Sequence, residues 1–520
     1  MSDDSFEKYY GIKLIVRDIA VLEQLEKIHG KPLSEVESIG RETTGFVSKD
    51  NRIVELGLYK KDLFKLPDNF GDLKDLEKLV ARNNQLSSLP ESFGELIKLK
   101  YLNFRGSAFS VVPECIRKLK KLEFLCFNKT QIKKCPEWIG ELTNIEQLWF
   151  EYGPLVYLPE TIGNLTKAKF LALEDAKLIT IPDSIGKMIG LTLVRLDDNQ
   201  LISIPDSVGN LINLEIINFS DNNLAAIPES IGNCINLDGL YILRNKLSSI
   251  PDSVTKLTKL YDLMISNNQL TTLPKSIGNL TKLVNLHAMN NQLLNIPESI
   301  CNLKKLKVLK LNSNQLTKLP DTIGKLDALE ELYLDNNKLE SLPESIGKLA
   351  NLRVLMLNNN SLISLPKSIQ KLKKLEKLNI ANNLLTNLTE NIGKLSNLRH
   401  LNANDNRLKY LPESIGNLNN LQELSLNFNE INELPTSIGN LTNLLRLHLY
   451  DNYLVSLPSS LEKLSNLIDL DLKNNSMSCI PEFVVKLPKL ENLWIKPNWF
   501  ITFDEECLKK LVSDKCTIHR

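Results

Sequence analysis

LYLDNNKLESLPE, Leu332 to Glu344, holds the pattern that decides the architecture. Apolar and polar residues alternate through Leu332 and Leu334, an amide interrupts at Asn337, and Leu339 and Leu342 lead into Pro343 and an acid. Alternation at period two marks a strand that buries one face. The same frame stands 184 residues earlier as LWFEYGPLVYLPE, Leu148 to Glu160, and 184 is a whole multiple of 23. There, however, Trp149, Glu151, Tyr152, Gly153 and Pro154 replace the small polar residues. One copy of a repeat has exchanged its usual side chains for large ones.

Proline sets the period. Pro67, Pro90, Pro113, Pro136, Pro159 and Pro182 begin a series that reaches Pro481 in steps of 23, with one lapse at Thr389. Ahead of each comes L-x-x-L-x-L-x-x-N-x-L-x-x-L, as in Leu260, Leu263, Ile265, Asn268, Leu270 and Leu273; after each comes x-S-I-G-x-L, as in Ile277, Gly278 and Leu280. From Ile53 to Leu490 this makes twenty turns. The Leu-x-Leu core predicts a short strand with its leucines inward, and the Asn amide is placed to satisfy backbone groups where the chain leaves it. Pro is expected to open a short helical turn, an acid to favour its positive end, and Gly to terminate it. No single unit has a core; only stacking buries the leucines.

L-x-x-L-x-L-x-x-N-x-L at this period resembles the leucine-rich repeat family. The L-P-x-S-I-G-x-L half is similar to the intracellular subclass of Ras-pathway scaffolds, plant intracellular Ras-group proteins and Scribble/Erbin-type proteins. That resemblance implies an α/β fold: a right-handed solenoid with a concave parallel β-sheet and short helical or 3-10 turns on the convex side. It also implies a cytoplasmic protein-binding scaffold in signal transduction rather than an enzyme, with small GTPases or phosphatase-type proteins among plausible partners.

The ends depart from the repeat and are expected to cap it, giving residues 1–52 as an N-terminal helical cap, 53–500 as repeats and 501–520 as a C-terminal cap. In IVRDIAVLEQLEKIHG, Ile15, Ile19, Leu22 and Leu25 share a helical face, and Gly30 and Pro32 stop it. Phe503 to Leu511 reads as a closing helix.

Composition excludes more than it proposes. With 63 basic and 62 acidic residues there is no global footprint for nucleic acid, and short clusters such as Lys118, Lys120 and Lys121 or Lys371, Lys373 and Lys374 have acidic neighbours. MSDDSFEKYYGIKLIV does not read as a secretory signal, and no apolar run is long enough to span a membrane. Eight scattered Cys without a C-x-x-C pair suit a reduced cytoplasmic protein. No P-loop, kinase signature, G-x-S-x-G or H-E-x-x-H occurs, so no catalytic group or cofactor is expected. His287, His400 and His448 lie at outward strand positions but too far apart to share a metal ion, and Cys126, also outward, has no neighbouring His to activate it.

Read down columns across turns, the outward positions single out one region. Tyr101, Phe124, Trp149, Phe170, Leu193 and Ile216 form an apolar and aromatic strip. Beside it Glu151, Glu174, Asp175, Asp197, Asp198 and Asp221 form an acidic ridge with Arg195 as its close basic neighbour; Arg105 and Tyr152 border it. In the same turns the Asn column, continuous from Asn199 to Asn475, gives way to Ser107, Thr130, Gly153 and Ala176. Exposed aromatics beside unpaired like charges imply a covering partner, a protein with a basic surface and an apolar anchor met by a monomeric chain. The alternatives are repeat decay near a cap, with the aromatics filling one another's exposed space, and a structural protein that self-associates through the aromatic strip. In the C-terminal third Lys377, His400, Glu423, Arg446 and Asp469 alternate in sign and read as a solvated column, with Phe428, Tyr450 and Trp494 as a weaker second contact region.

Overall fold

A computed structural model of the chain describes residues 5–478, 480–495, 498 and 516–519. The expected closing helix at Phe503 to Leu511 falls outside them. The chain divides into two compact units, Met1–Leu260 and Tyr261–Arg520.

The first unit opens with a hairpin of β1 (Phe6–Tyr9) and β2 (Ile12–Ile15), followed by α1 (Val16–His29). This helix buries Ile19, Val21, Leu22 and Leu25, and ends at Gly30, whose φ of 81° is the left-handed conformation glycine adopts freely. Strand β3 (Thr44–Lys49) then pairs antiparallel with β4 (Arg52–Leu58), and from β4 onward the sheet is parallel. Its successive strands are β5 (Lys78–Val80), β6 (Tyr101–Asn103), β7 (Phe124–Cys126), β8 (Gln147–Trp149), β9 (Phe170–Ala172), β10 (Leu193–Arg195), β11 (Ile216–Asn218) and β12 (Gly239–Tyr241). Each residue pairs with the one 23 positions on, as Leu193 does with Ile216, so columns in the sequence are rows of neighbours in space. The core-facing leucines, such as Leu148, Leu171 and Leu240, are fully buried. The charged side chain of Asp18 on α1 is fully buried as well: it accepts a hydrogen bond from Ile53 N (2.8 Å) and faces Arg52 (3.2 Å).

The second unit repeats the same parallel pairing from Asp262–Met264 to Asn492–Trp494, and Thr517–His519 pairs beside the last of these. Here the Asn column shows what it does. Asn337 Nδ2 donates to the carbonyls of Leu311 and Leu334 (both 3.0 Å), while Oδ1 accepts from Leu316 N (3.0 Å). One amide thus satisfies three buried backbone groups across two turns.

The turns opposite the sheet are short 3-10 helices, and their chemistry differs from the sequence expectation in three details. Pro stands just before the helix in extended conformation (Pro343, φ −69°, ψ 147°) rather than inside its first turn. The acid after it reaches the next repeat: the Glu344 carboxylate accepts from Lys367 N (3.1 Å) and Ser368 N (2.9 Å), stitching neighbouring turns. Gly does not terminate the helix by a left-handed φ. A Cβ on Gly347 would lie 2.3 Å from Ser368 O, so Gly is there to let consecutive turns approach.

Candidate protein-binding face

The outward face of the first unit's sheet collects the aromatic strip as expected, but much of it is self-packed. Tyr101 and Phe124, opposite each other on β6 and β7, stack with ring centroids 4.0 Å apart, and Phe124 lies 6.2 Å from Trp149 on β8. Such pairs contribute ~0.5–1.5 kcal/mol each beyond area burial. Cys126 sits at an outward strand position as expected, yet it is only 3% exposed, and burial pushes its thiol up to about 12. Phe170, Leu193 and Ile216 stay half-exposed and extend the strip along β9 to β11.

The acidic ridge is more compensated than its sequence suggests. Arg195 lies among three carboxylates: Glu151 (3.3 Å), Glu174 and Asp197 (3.8 Å). Glu151 is buried, and the Asn128 amide grips it from below, donating to Oε2 (2.8 Å) and accepting from its backbone N–H (2.9 Å). Two further cations join: Arg244 pairs with Asp221, and Lys177 lies 3.5 Å from Asp175. Desolvation raises the carboxyl groups of Glu151 and Asp197 above their ordinary values. It does the same at Asp198, helped by the charges of Asp221 and Asp175. Carboxylate oxygens of Glu174, Asp197 and Asp198 fall within 4.8 Å of one another, and Arg195 already supplies a cation to that cluster.

Part of the ridge has a local cause that sequence reasoning missed. Asp175, Asp198 and Asp221 hold left-handed backbone (φ 47°, 55° and 56°), as does this position in almost every turn. Asp and Asn tolerate that conformation better than other side chains. Turn geometry therefore explains these acids as well as a partner would. It does not explain Tyr152, bulky at φ 59° and 37% exposed, whose hydroxyl donates to Glu174 Oε1 (2.8 Å) and whose ring lies under Arg105 and Lys129 (5.6 and 5.7 Å).

The broken Asn column is confined to this face's turns. Thr130 Oγ1 donates to Phe127 O (2.7 Å), Gly153 leaves space 3.0 Å from Thr130 O, and the buried Ser107 hydroxyl has no partner. Beneath them Phe104, Phe109, Phe127 and Phe150 form a chain of ring contacts 5.1–5.7 Å apart. Aromatic packing inside replaces the amide ladder there.

Sequence reasoning also left Arg41 and Arg82, at the other end of the face, out of the candidate site. A cavity of ≈ 280 Å³ is lined by Arg41, Arg82 and Arg105 together with Tyr101, Phe124 and Trp149. Arg41 comes from the segment before β3, which the antiparallel β3–β4 pairing carries to the sheet; no column count reaches it. Adjacent Arg82 and Arg105 in one column were the available signal. In the second unit the alternating column does pair, His400 with Glu423 (3.2 Å) and Arg446 with Asp469 (3.1 Å).

A family profile described as a leucine-rich repeat region matches residues 91–167, 205–298, 289–404 and 382–520. The chain belongs to the leucine-rich repeat family. A solved leucine-rich repeat protein of Leptospira interrogans is 35% identical, with 75% of this chain and 93% of that one covered and a TM-score of 0.64. A plant peptide hormone receptor solved with its hormone is 28% identical (91% and 86% covered, TM-score 0.61). The Arabidopsis receptor kinase HAESA, solved with a peptide hormone and a co-receptor, is 25% identical (92% and 94% covered, TM-score 0.61). No curated protein matches the chain. Among the described residues no helix is long and apolar enough to cross a membrane.

Proposed function

We propose that this leucine-rich repeat protein is a non-enzymatic scaffold whose sheet face, from Tyr101 to Asp221, binds a protein or peptide. The observation that carries the reading is Tyr152: a large, exposed aromatic held at a left-handed position between two cations and an acid. Left-handed backbone is costly for such a side chain, and most turns use Asn or Asp there. The half-exposed Phe170, Leu193 and Ile216 continue an apolar centre, and Asp198 and Asp221 give it a charged rim, the composition of a protein interface. The rim steers a partner with a basic surface. Relatives in the fold bind peptide hormones, which supports binding as the use of the surface. We further infer a cytoplasmic role in signalling within the 23-residue intracellular subclass, where small GTPases or phosphatase-type proteins are natural partners. The described cysteines, all free, suit a reducing compartment.

The test is affinity capture with wild type and a double variant, Tyr152→Asn plus Asp198→Lys. Asn and Lys already occupy this left-handed position elsewhere, at Asn83 and Lys129, so the fold should tolerate both. One protein retained by wild type and lost by the variant, at unchanged Tm, supports the reading; identical captured sets sink it. Sedimentation of the pure chain separates out the self-association alternative, which requires a concentration-dependent mass that the same variant abolishes.

A further inference from the structure

The cavity between β5 and β8 has an electrostatic character of its own. Arg82 and Arg105 occupy the same column on consecutive turns, about 5 Å apart by strand spacing, and Arg41 completes the ring. Like charges on neighbouring strands repel. The nearby acids are already engaged, Glu55 with Lys78 and Glu151 with Asn128 and Arg195. No carboxylate lines the cavity, and the buried Cys126 thiol, pushed up to about 12, adds no negative charge. Three guanidinium groups therefore share one small space with no carboxylate in its lining, Glu151 acting on Arg105 from outside it.

Donors are also left over. Arg82 Nη1 donates to Arg41 O (3.0 Å), which fixes the guanidinium, while Arg82 Nε is buried without a partner. So is Trp149 Nε1 on the opposite wall. Buried donors without acceptors are uncommon and costly. The remaining lining supplies the Asn103, Asn128 and Gln147 amides and the stacked faces of Tyr101 and Phe124. Planar guanidinium groups match the oxygens of a phosphoryl group bidentately, and the aromatic side chains of the lining supply apolar surface for the body that carries it.

We propose that this cavity is a recognition site for a doubly charged oxyanion on an aromatic or apolar body, namely the phosphorylated side chain of a partner segment. The proposal deepens the protein-binding reading and rests on it for the source of the ligand. It makes the face bipolar: an anionic residue seats among Arg41, Arg82 and Arg105, while basic residues further along lie against Asp198 and Asp221.

The experiment uses the full chain and small probes, so it stands apart from partner capture. Phenyl phosphate, benzoate, phenol and inorganic phosphate are titrated by calorimetry, and the Trp149 indole N–H resonance, assigned with Trp149→Phe, is followed in parallel. Phenyl phosphate should bind, shift that resonance, and bind about tenfold more weakly in Arg82→Gln and in Arg105→Gln. Inorganic phosphate and benzoate should bind more weakly than phenyl phosphate, and phenol not at all. Neither Arg makes a buried ion pair, so both variants should unfold like wild type. No binding of phenyl phosphate, or binding by both variants as tight as by wild type, overturns the site. Benzoate matching phenyl phosphate overturns the doubly charged ligand in favour of a carboxylate, and inorganic phosphate matching it removes the aromatic body. If the probes fail while the Tyr152→Asn plus Asp198→Lys variant still loses its partner, only the pocket is wrong.

Discussion

The two units use one repeat to opposite ends. In the second, Asn268 to Asn475 run without interruption, left-handed positions hold mostly Asn, and outward charges neutralise one another. In the first, four consecutive turns surrender the Asn, bury aromatic rings in its place, and gather charge in separate basic and acidic zones. The regular unit shows what the fold requires; the irregular one shows where requirements other than folding intervene.

The sharpest way to break that contrast is to remove the same kind of group from both. Asn337→Ala deletes four hydrogen bonds and leaves Leu316 N buried and unpaired. It should cost about 2–4 kcal/mol, read as a drop in denaturant midpoint or Tm. Ser107→Ala, at the matching position of the first unit, removes a buried hydroxyl that has no partner and should change stability by less than about 0.5 kcal/mol in either direction. Equal losses at the two sites would mean that the first unit has rebuilt the ladder by another route.

Acid distinguishes the units next. Asp18 is raised to about 6, chiefly by burial, against 3.8 for the free group. Between those values the folded protein holds a proton that the unfolded chain does not, so stability rises as pH falls from about 6 towards 4 and is lost on the way back up. Asp18→Asn keeps an acceptor for Ile53 N and should flatten this part of the stability–pH curve. If wild type and variant curves run parallel from pH 4 to 6, Asp18 does not titrate as described. A smaller loss, about 1–2 kcal/mol near neutral pH, is expected for Arg195→Met, which leaves Glu151 buried with Asn128 and the more distant charge of Arg105 to hold it. That loss should shrink on acidification, as the carboxyl groups freed of Arg195 take up protons.

These sites also mark how far sequence carries. The strand period, the inward leucines and the role of Asn were legible because each repeats and each has a single physical cause. Glu151 and Cys126 lie at outward positions but are buried, Glu151 between Asn128 and Arg195, whereas column reading treats every outward residue as solvated. Asp175, Asp198 and Asp221 looked like a binding ridge because backbone conformation is invisible in composition; their left-handed φ supplies a second reason for an acid. Arg41 was out of reach, since only the antiparallel return of β3 brings it beside Arg82.

The smallest predicted effect separates strain from use. Tyr152 in the first unit and Phe428 in the second are both large aromatics at the left-handed position, with φ of 59° and 54°. Each has a compensating contact: Tyr152 its bond to Glu174, Phe428 an edge-to-face meeting with Tyr450 at 4.8 Å. Replacing either by Asn relieves roughly 1 kcal/mol of backbone strain and forfeits a contact of similar size, so both single variants should melt within a degree or two of wild type. What distinguishes them is binding. If Tyr152→Asn weakens partner capture and Phe428→Asn does not, the aromatic in the first unit is retained for a partner. If both leave capture unchanged, large side chains at this position are merely tolerated, and the difference between the two units reduces to how each fills its core.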